Sequence, residues 1–217
     1  MKNKEKRVPK TSIKFKCQLS KEQKEAKRVI LSHDITVLAG IAGSSKTFLA
    51  CQNALDQLFT RQVERITIIR PTVATEDIGH LPGGVDEKMA MWMIPLVENM
   101  YKLYYKEKID TMLKEGKIRM LPLQFTQGIT FVDESVIVDE AQNMTKIQTE
   151  MVLTRLGTGS HIVLAGDPHQ CQLTGNAKSG LQRLIDIVPE IEALGYFELK
   201  ENHRNPIVEK IVKLYNQ

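Results

Sequence analysis

Eight consecutive residues, Gly40-Ile41-Ala42-Gly43-Ser44-Ser45-Lys46-Thr47, have the types and spacing to hold a polyphosphate. Small side chains let the backbone wrap an anion with successive N–H groups pointing inward, and a helix starting behind the loop adds partial positive charge. The apolar run Ile35-Thr36-Val37-Leu38 before the loop and Phe48-Leu49-Ala50-Cys51 after it supply strand, loop and helix in the required order. In such a loop Lys46 reaches the β- and γ-phosphates and Thr47 offers a hydroxyl to Mg²⁺. Ser45 occupies the position usually held by glycine. It is tolerated at a negative φ and costs on the order of 1 kcal/mol at a positive one.

Two further constellations carry chemistry. Val136-Ile137-Val138 reads as a strand buried on both faces and runs directly into Asp139 and Glu140. Paired acids at such a place are costly unless a cation compensates. Asp139 would hold the metal, directly or through water, and Glu140 would orient or deprotonate an attacking water. An acidic helix start is the alternative use of the same residues. His161-Ile162-Val163-Leu164-Ala165 is a second buried strand, followed by Gly166-Asp167-Pro168-His169-Gln170. Gln170 is the candidate that senses the γ-phosphate, although a polar turn residue after Asp-Pro would look the same. His161 and His169 lack triad-like or metal-like neighbours, so they are not assigned as bases. Met89, Met91, Met93 and Met100 around Trp92 read as packing, and Glu107 with Lys102, Lys106 and Lys108 as a solvated helix face.

The elements that must position these residues follow from periodicity. Apolar strand-like runs recur at Ile35–Leu38, Ile66–Ile69, Ile118–Leu121, Val136–Asp139, His161–Ala165 and Tyr196–Leu199, with helical stretches or long loops between most of them. That alternation predicts an α/β fold with a mostly parallel sheet covered on both faces, and ligands at the C-terminal strand ends. A chain of 217 residues, 42% hydrophobic and 26% charged, suits a single domain. Its net charge of +4 is too mild to prove a nucleic-acid partner. Locally, however, Lys2, Lys4, Lys6, Arg7, Lys10, Lys14 and Lys16 face only Glu5. Residues 1–17 are therefore expected to be a basic arm, either neutralising phosphates on RNA or single-stranded DNA or simply solvated. Cys17, Cys51 and Cys171 are too scattered for a zinc or disulfide framework. No run approaches the ~20 apolar residues of a membrane span, so a soluble, cytoplasmic protein is expected.

The ordered set Gly-x-x-Gly-x-x-Lys-Thr, Val-Asp-Glu-Ala-Gln-Asn and Gly-Asp-Pro-x-Gln resembles the first RecA-like domain of superfamily-one helicases, and more closely the PhoH-like ATPase family. The resemblance extends through Arg70-Pro71-Thr72-Val73, Gly79-His80-Leu81-Pro82-Gly83, Glu87-Lys88, Pro95-Leu96, Ser179-Gly180-Leu181 and Arg204-Asn205-Pro206-Ile207-Val208. It covers about Leu19 to Tyr215. It implies a RecA-like P-loop ATPase domain over residues 18–217, with Gly40, Ile41, Ala42, Gly43, Ser44, Ser45, Lys46, Thr47 and Phe48 around ATP and with Mg²⁺ at Thr47 and Asp139. Lys46, Glu140 and Gln170 would be catalytic. It further implies that Arg204 contacts the γ-phosphate, that Gln23 reads adenine, and that the protein is an RNA or single-stranded DNA helicase or translocase. An ATP-gated binding protein with little turnover is the competing expectation. The family's Arg-Gly-Arg-Thr turn is here Gln127-Gly128-Ile129-Thr130, and Gln172 replaces a usual aspartate. Because superfamily-one helicases close two RecA-like domains on ATP and this chain has room for one, a homo-oligomer is expected, as a ring, with a hexamer favoured.

Overall fold

The computed structural model describes residues 15–71, 85–174, 178–202 and 206–215, together with the backbone but not every side chain of the helices beginning at 85 and 206. Six strands, β1 (Ile35–Gly40), β2 (Arg65–Ile69), β3 (Ile118–Met120), β4 (Glu134–Val138), β5 (His161–Gly166) and β6 (Leu194–Leu199), form one sheet in the order β3-β2-β4-β5-β1-β6. Every adjacent pair is parallel. All six strand-like runs of the sequence are thus strands of one sheet, with ends shifted by a residue or two. Asp139, placed inside β4 by the sequence, lies just past its end.

The strands read as continuous apolar runs because both faces are covered. Leu38, Ile66, Ile68, Ile137 and Val163 point into a core shared with α1 (Lys21–Ser32), α2 (Lys46–Phe59), α3 (Val85–Leu103) and α4 (Lys106–Lys114). Their neighbours Val37, Ile69, Val136, Val138, Ile162 and Leu164 point into a second core against α5 (Lys146–Leu153) and α6 (Gly180–Ile187). Alternate residues along one strand therefore serve opposite layers, so both sets are mainly apolar, and the buried polar pair Thr67 and Glu134 on β2 and β4 hydrogen-bond each other. A seventh helix, α7 (Pro206–Tyr215), follows β6.

Helix starts are chosen locally. Ser20 and Gln23 form a reciprocal capping box at α1, and Thr145 and Gln148 form another at α5. Chain ends of the sheet then converge on one edge of the molecule. β1 sits between β5 and β6, with Ala39 opposite Gly166 and Gly40 opposite Leu199. Gly40 has φ 150°, and a Cβ there would strike the Leu199 carbonyl oxygen, so glycine is required where the phosphate-type loop leaves the sheet.

Candidate nucleotide site

Ser45 adopts φ 69°, ψ 23°, the left-handed conformation, and makes no side-chain cap to α2. The positive-φ case applies, and the strain of about 1 kcal/mol is present in the loop. Lys46 follows as the first residue of α2, and its ammonium donates to the carbonyl oxygens of Gly40 at 2.8 Å and Ile41 at 2.9 Å. The loop is thereby drawn around its own lysine.

β5 lies between β1 and β4, so the ends of β1 and β4 stand two strand spacings apart, about 10 Å. Thr47 closes that gap: its hydroxyl donates to Asp139 Oδ1 at 2.7 Å, joining residues 92 positions apart. Asp139 is buried, which pushes its carboxyl above the ordinary range. The Thr47 hydrogen bond pulls it back, the Glu140 charge raises it again and Arg70 lowers it. Burial also pushes the Cys51 thiol upward, aided by the Asp139 charge, so this α2 cysteine stays protonated.

Glu140 occupies the left-handed region at φ 53° and precedes a short 3-10 turn, Ala141–Asn143. Its side chain does not cap that turn, so the acidic-helix-start alternative has no side-chain hydrogen bond behind it. Instead Gln142 Nε2 donates to Glu140 Oε2 at 2.6 Å, while Gln142 Oε1 accepts the Asp167 N–H at 3.1 Å. One glutamine therefore ties the acid after β4 to the end of β5. Gly166 makes room for it, since a Cβ at that position would lie 2.6 Å from Gln142 Oε1. Asp167 in turn accepts from the His169 N–H at 3.0 Å and from Gln170 Nε2 at 3.0 Å, fixing the turn that carries Gln170.

These groups surround one cleft of about 440 Å³, lined among others by Gly43, Lys46, Thr47, Asp139, Glu140 and Gln170. Ala42, Ser45 and Phe48 also reach it. A second cavity of about 430 Å³ adjoins the loop through Ser45 and Phe48 and is lined by Cys17, Gln18, Leu19, Ser20 and Gln23. Gln23 is buried rather than exposed, and its Oε1 accepts the Ser20 N–H at 3.0 Å as part of the α1 cap. Ser44 is buried behind the loop, donating to Ile41. Arg204 lies outside the described residues, as do Thr72, Val73 and the 79–83 segment.

Three residues in or behind the cleft wall escaped the sequence reading. Gln142 stood inside the quoted Asp-Glu-Ala-Gln-Asn run, and its signal was a side chain with both donor and acceptor two residues after a catalytic-type acid. Asn99 and Lys102, which do line the cleft, come from α3 and carried no signal, because nothing in a helix sequence says which turn faces a distant loop.

A parallel sheet in this order, with a Lys-Thr phosphate-type loop leaving β1 and an acid pair following β4 of which Asp139 is buried, defines a RecA-like P-loop NTPase domain. The chain belongs to the PhoH-like protein family, whose sequence model matches residues 16–216. It is 38% identical over 198 residues to a PhoH-like protein of Synechocystis sp., covering 90% of this chain and 60% of that protein. It is 40% identical over 185 residues to one from Mycobacterium tuberculosis, covering 83% and 53%. The chain thus spans only about half to three-fifths of the length of these relatives. Among solved structures, the large terminase of a thermophilic bacteriophage in complex with ADP superposes with a TM-score of 0.56 at 14% identity, covering 90% of this chain and 50% of the other. At that identity the likeness concerns the fold. No helix among the described residues is long and apolar enough to cross a membrane.

Proposed function

We propose that this chain is an Mg²⁺-dependent ATPase whose cleft binds the triphosphate between the Gly40–Thr47 loop and the acids after β4. The observation that carries the reading is the 2.7 Å Thr47–Asp139 hydrogen bond, which brings a hydroxyl and a buried carboxylate to one point beside Lys46 and Glu140. That pair is of the hard-oxygen type Mg²⁺ takes, and a cation there would relieve a carboxylate that burial otherwise penalises. The metal would supply charge neutralisation at the phosphate oxygens. Lys46 would hold the β- and γ-phosphates, Glu140 would orient and deprotonate water, and Gln170 would register the γ-phosphate. Gln23 would meet the base in the adjoining cavity, and Arg204 would stabilise developing charge.

The same reading assigns residues 18–217 to the ATPase domain and gives the basic arm a phosphate backbone, RNA or single-stranded DNA, to neutralise. It makes the protein a translocase or helicase that completes its site across a homo-oligomeric ring. Phosphate release by the wild type, Lys46→Ala and Glu140→Gln tests the first part. Glu140→Gln is expected to bind ATP normally with turnover reduced at least a hundredfold, and equal rates in all three would reject catalysis at this cleft. Adding single-stranded RNA or DNA tests the second: stimulation with strand displacement supports a motor. ATP-dependent association with negligible turnover would instead support a nucleotide-gated binder, for which the strained Ser45 is the favouring observation.

A further inference from the structure

The sequence groups Lys102 with Lys106 and Lys108 on a solvated face, but the structure separates it from them. Lys102 and Asn99 line the nucleotide-type cleft together with Lys46, Asp139, Glu140 and Gln170. They stand three residues apart on α3, and therefore on neighbouring turns of one flank. The stripe beside them is anchored by Leu96, Met100 and Leu103, all fully buried. The helix cannot roll without exposing them.

The end of α3 is also pinned from outside. Residues 15–17 run across it: the Lys16 N–H donates to Leu103 O at 3.0 Å, Lys16 Nζ donates to Tyr101 O at 3.2 Å, and the Cys17 thiol donates to Lys102 O at 3.5 Å. Three carbonyls that a helix end leaves orphaned are thus satisfied by one strap. That strap continues into the Cys17–Ser20 wall of the neighbouring cavity. The backbone carrying Lys102 is thereby fixed relative to both cavities.

Among the described residues the Lys102 ammonium makes no ion pair and no hydrogen bond. The surrounding charges are otherwise engaged. Glu140 Oε2 is held by Gln142, Asp139 Oδ1 by Thr47 and Asp167 by His169 and Gln170. On the helix side Asp110 accepts the Tyr101 hydroxyl and Lys106 lies over the Tyr101 ring at 5.2 Å. In a cleft that holds three carboxylates a triphosphate gains from a further cation beside Mg²⁺ and Lys46, and Lys102 is positioned to add it.

We propose that Lys102, with Asn99 beside it, is a second phosphate-binding wall that contacts the phosphates of the bound nucleotide from α3. The proposal rests on the ATPase reading above. Calorimetric titration of ATP with MgCl₂ into the wild type, Lys102→Ala, Lys102→Gln, Lys102→Arg and Lys46→Ala tests it, with melting curves to verify folding of these exposed-site variants. Lys102→Ala and Lys102→Gln are expected to weaken ATP about tenfold, and Lys102→Arg to stay within about twofold because it keeps the charge. Unchanged affinity in Lys102→Ala beside a weakened Lys46→Ala overturns the second wall while leaving the nucleotide site standing. Equal losses in Lys102→Ala and Lys102→Arg reduce the effect to packing and overturn it as well. If Lys46→Ala also binds normally, the nucleotide reading itself fails.

Discussion

Asp139 is held in an environment that opposes its own charge. It is 5% exposed, burial raises its pKa, and of its surroundings the Thr47 hydrogen bond, the Arg70 charge and the Glu140 backbone favour the anion while the Glu140 charge disfavours it. The net direction is upward from 3.8. As pH rises through that ordinary value the unfolded chain loses its proton first while the folded chain keeps it, so the unfolded state gains and stability falls until the folded carboxyl also ionises. At neutral pH the residue is therefore a liability to the fold. Asp139→Asn is expected to raise the urea midpoint at pH 7 to 8, with the advantage shrinking as pH is lowered toward 4, while Mg²⁺-dependent ATP affinity falls. A wild type more stable than the variant at pH 7 would show that burial is not the dominant influence. At this scale the sequence was legible where chemistry depends on spacing along the chain, as in Lys46-Thr47 and Asp139-Glu140. It was silent on Asn99 and Lys102, whose place in the cleft wall depends on which turn of α3 faces it.

Between elements, α1 does more than cover the sheet. The Glu22 carboxylate accepts the backbone N–H groups of Lys200 at 2.7 Å and Glu201 at 3.0 Å, and the Ser20 hydroxyl donates to Glu201 Oε2 at 2.7 Å. The chain leaving β6 is thus fastened to the first turn of the helix whose Gln23 lines the second cavity. Arg204 follows three positions later. Glu22→Ala is expected to lower turnover severalfold while leaving the ATP dissociation constant within about twofold, and to cost about 1 kcal/mol of stability measured by denaturant melts. A proportionate loss of affinity and rate would place Glu22 in binding rather than in positioning this segment. The inner strands were readable here because burial on both faces favours near-continuous apolar runs such as Val136-Ile137-Val138. The clamp was not readable, since Glu22 looks like any acid in a first turn, and its partners are backbone groups 178 and 179 residues away.

For the whole molecule the question is what closes the cleft. One sheet supplies the loop, the acids and Gln170, all at the C-terminal ends of parallel strands, and that edge is where α/β sheets take their ligands. A cleft built on one edge is covered from one side by its own helices, here by α3. Efficient phosphoryl transfer calls for water exclusion and a further cation at the γ-phosphate. In a ring the neighbouring copy would provide both, which makes each subunit's rate depend on the next. Co-expressing wild type with Glu140→Gln at stepped ratios separates this from independent sites. If every site works alone, phosphate release falls in proportion to the wild-type fraction. If sites are shared across an interface, a Glu140→Gln neighbour that holds ATP without hydrolysing it stalls the adjacent wild-type site, and activity at an even mixture drops well below half. Light scattering on the same mixtures fixes the subunit number. A linear decline together with a monomeric mass would remove the ring, and turnover would then have to come from the cis residues Lys46, Glu140, Gln170 and Arg204 acting unaided.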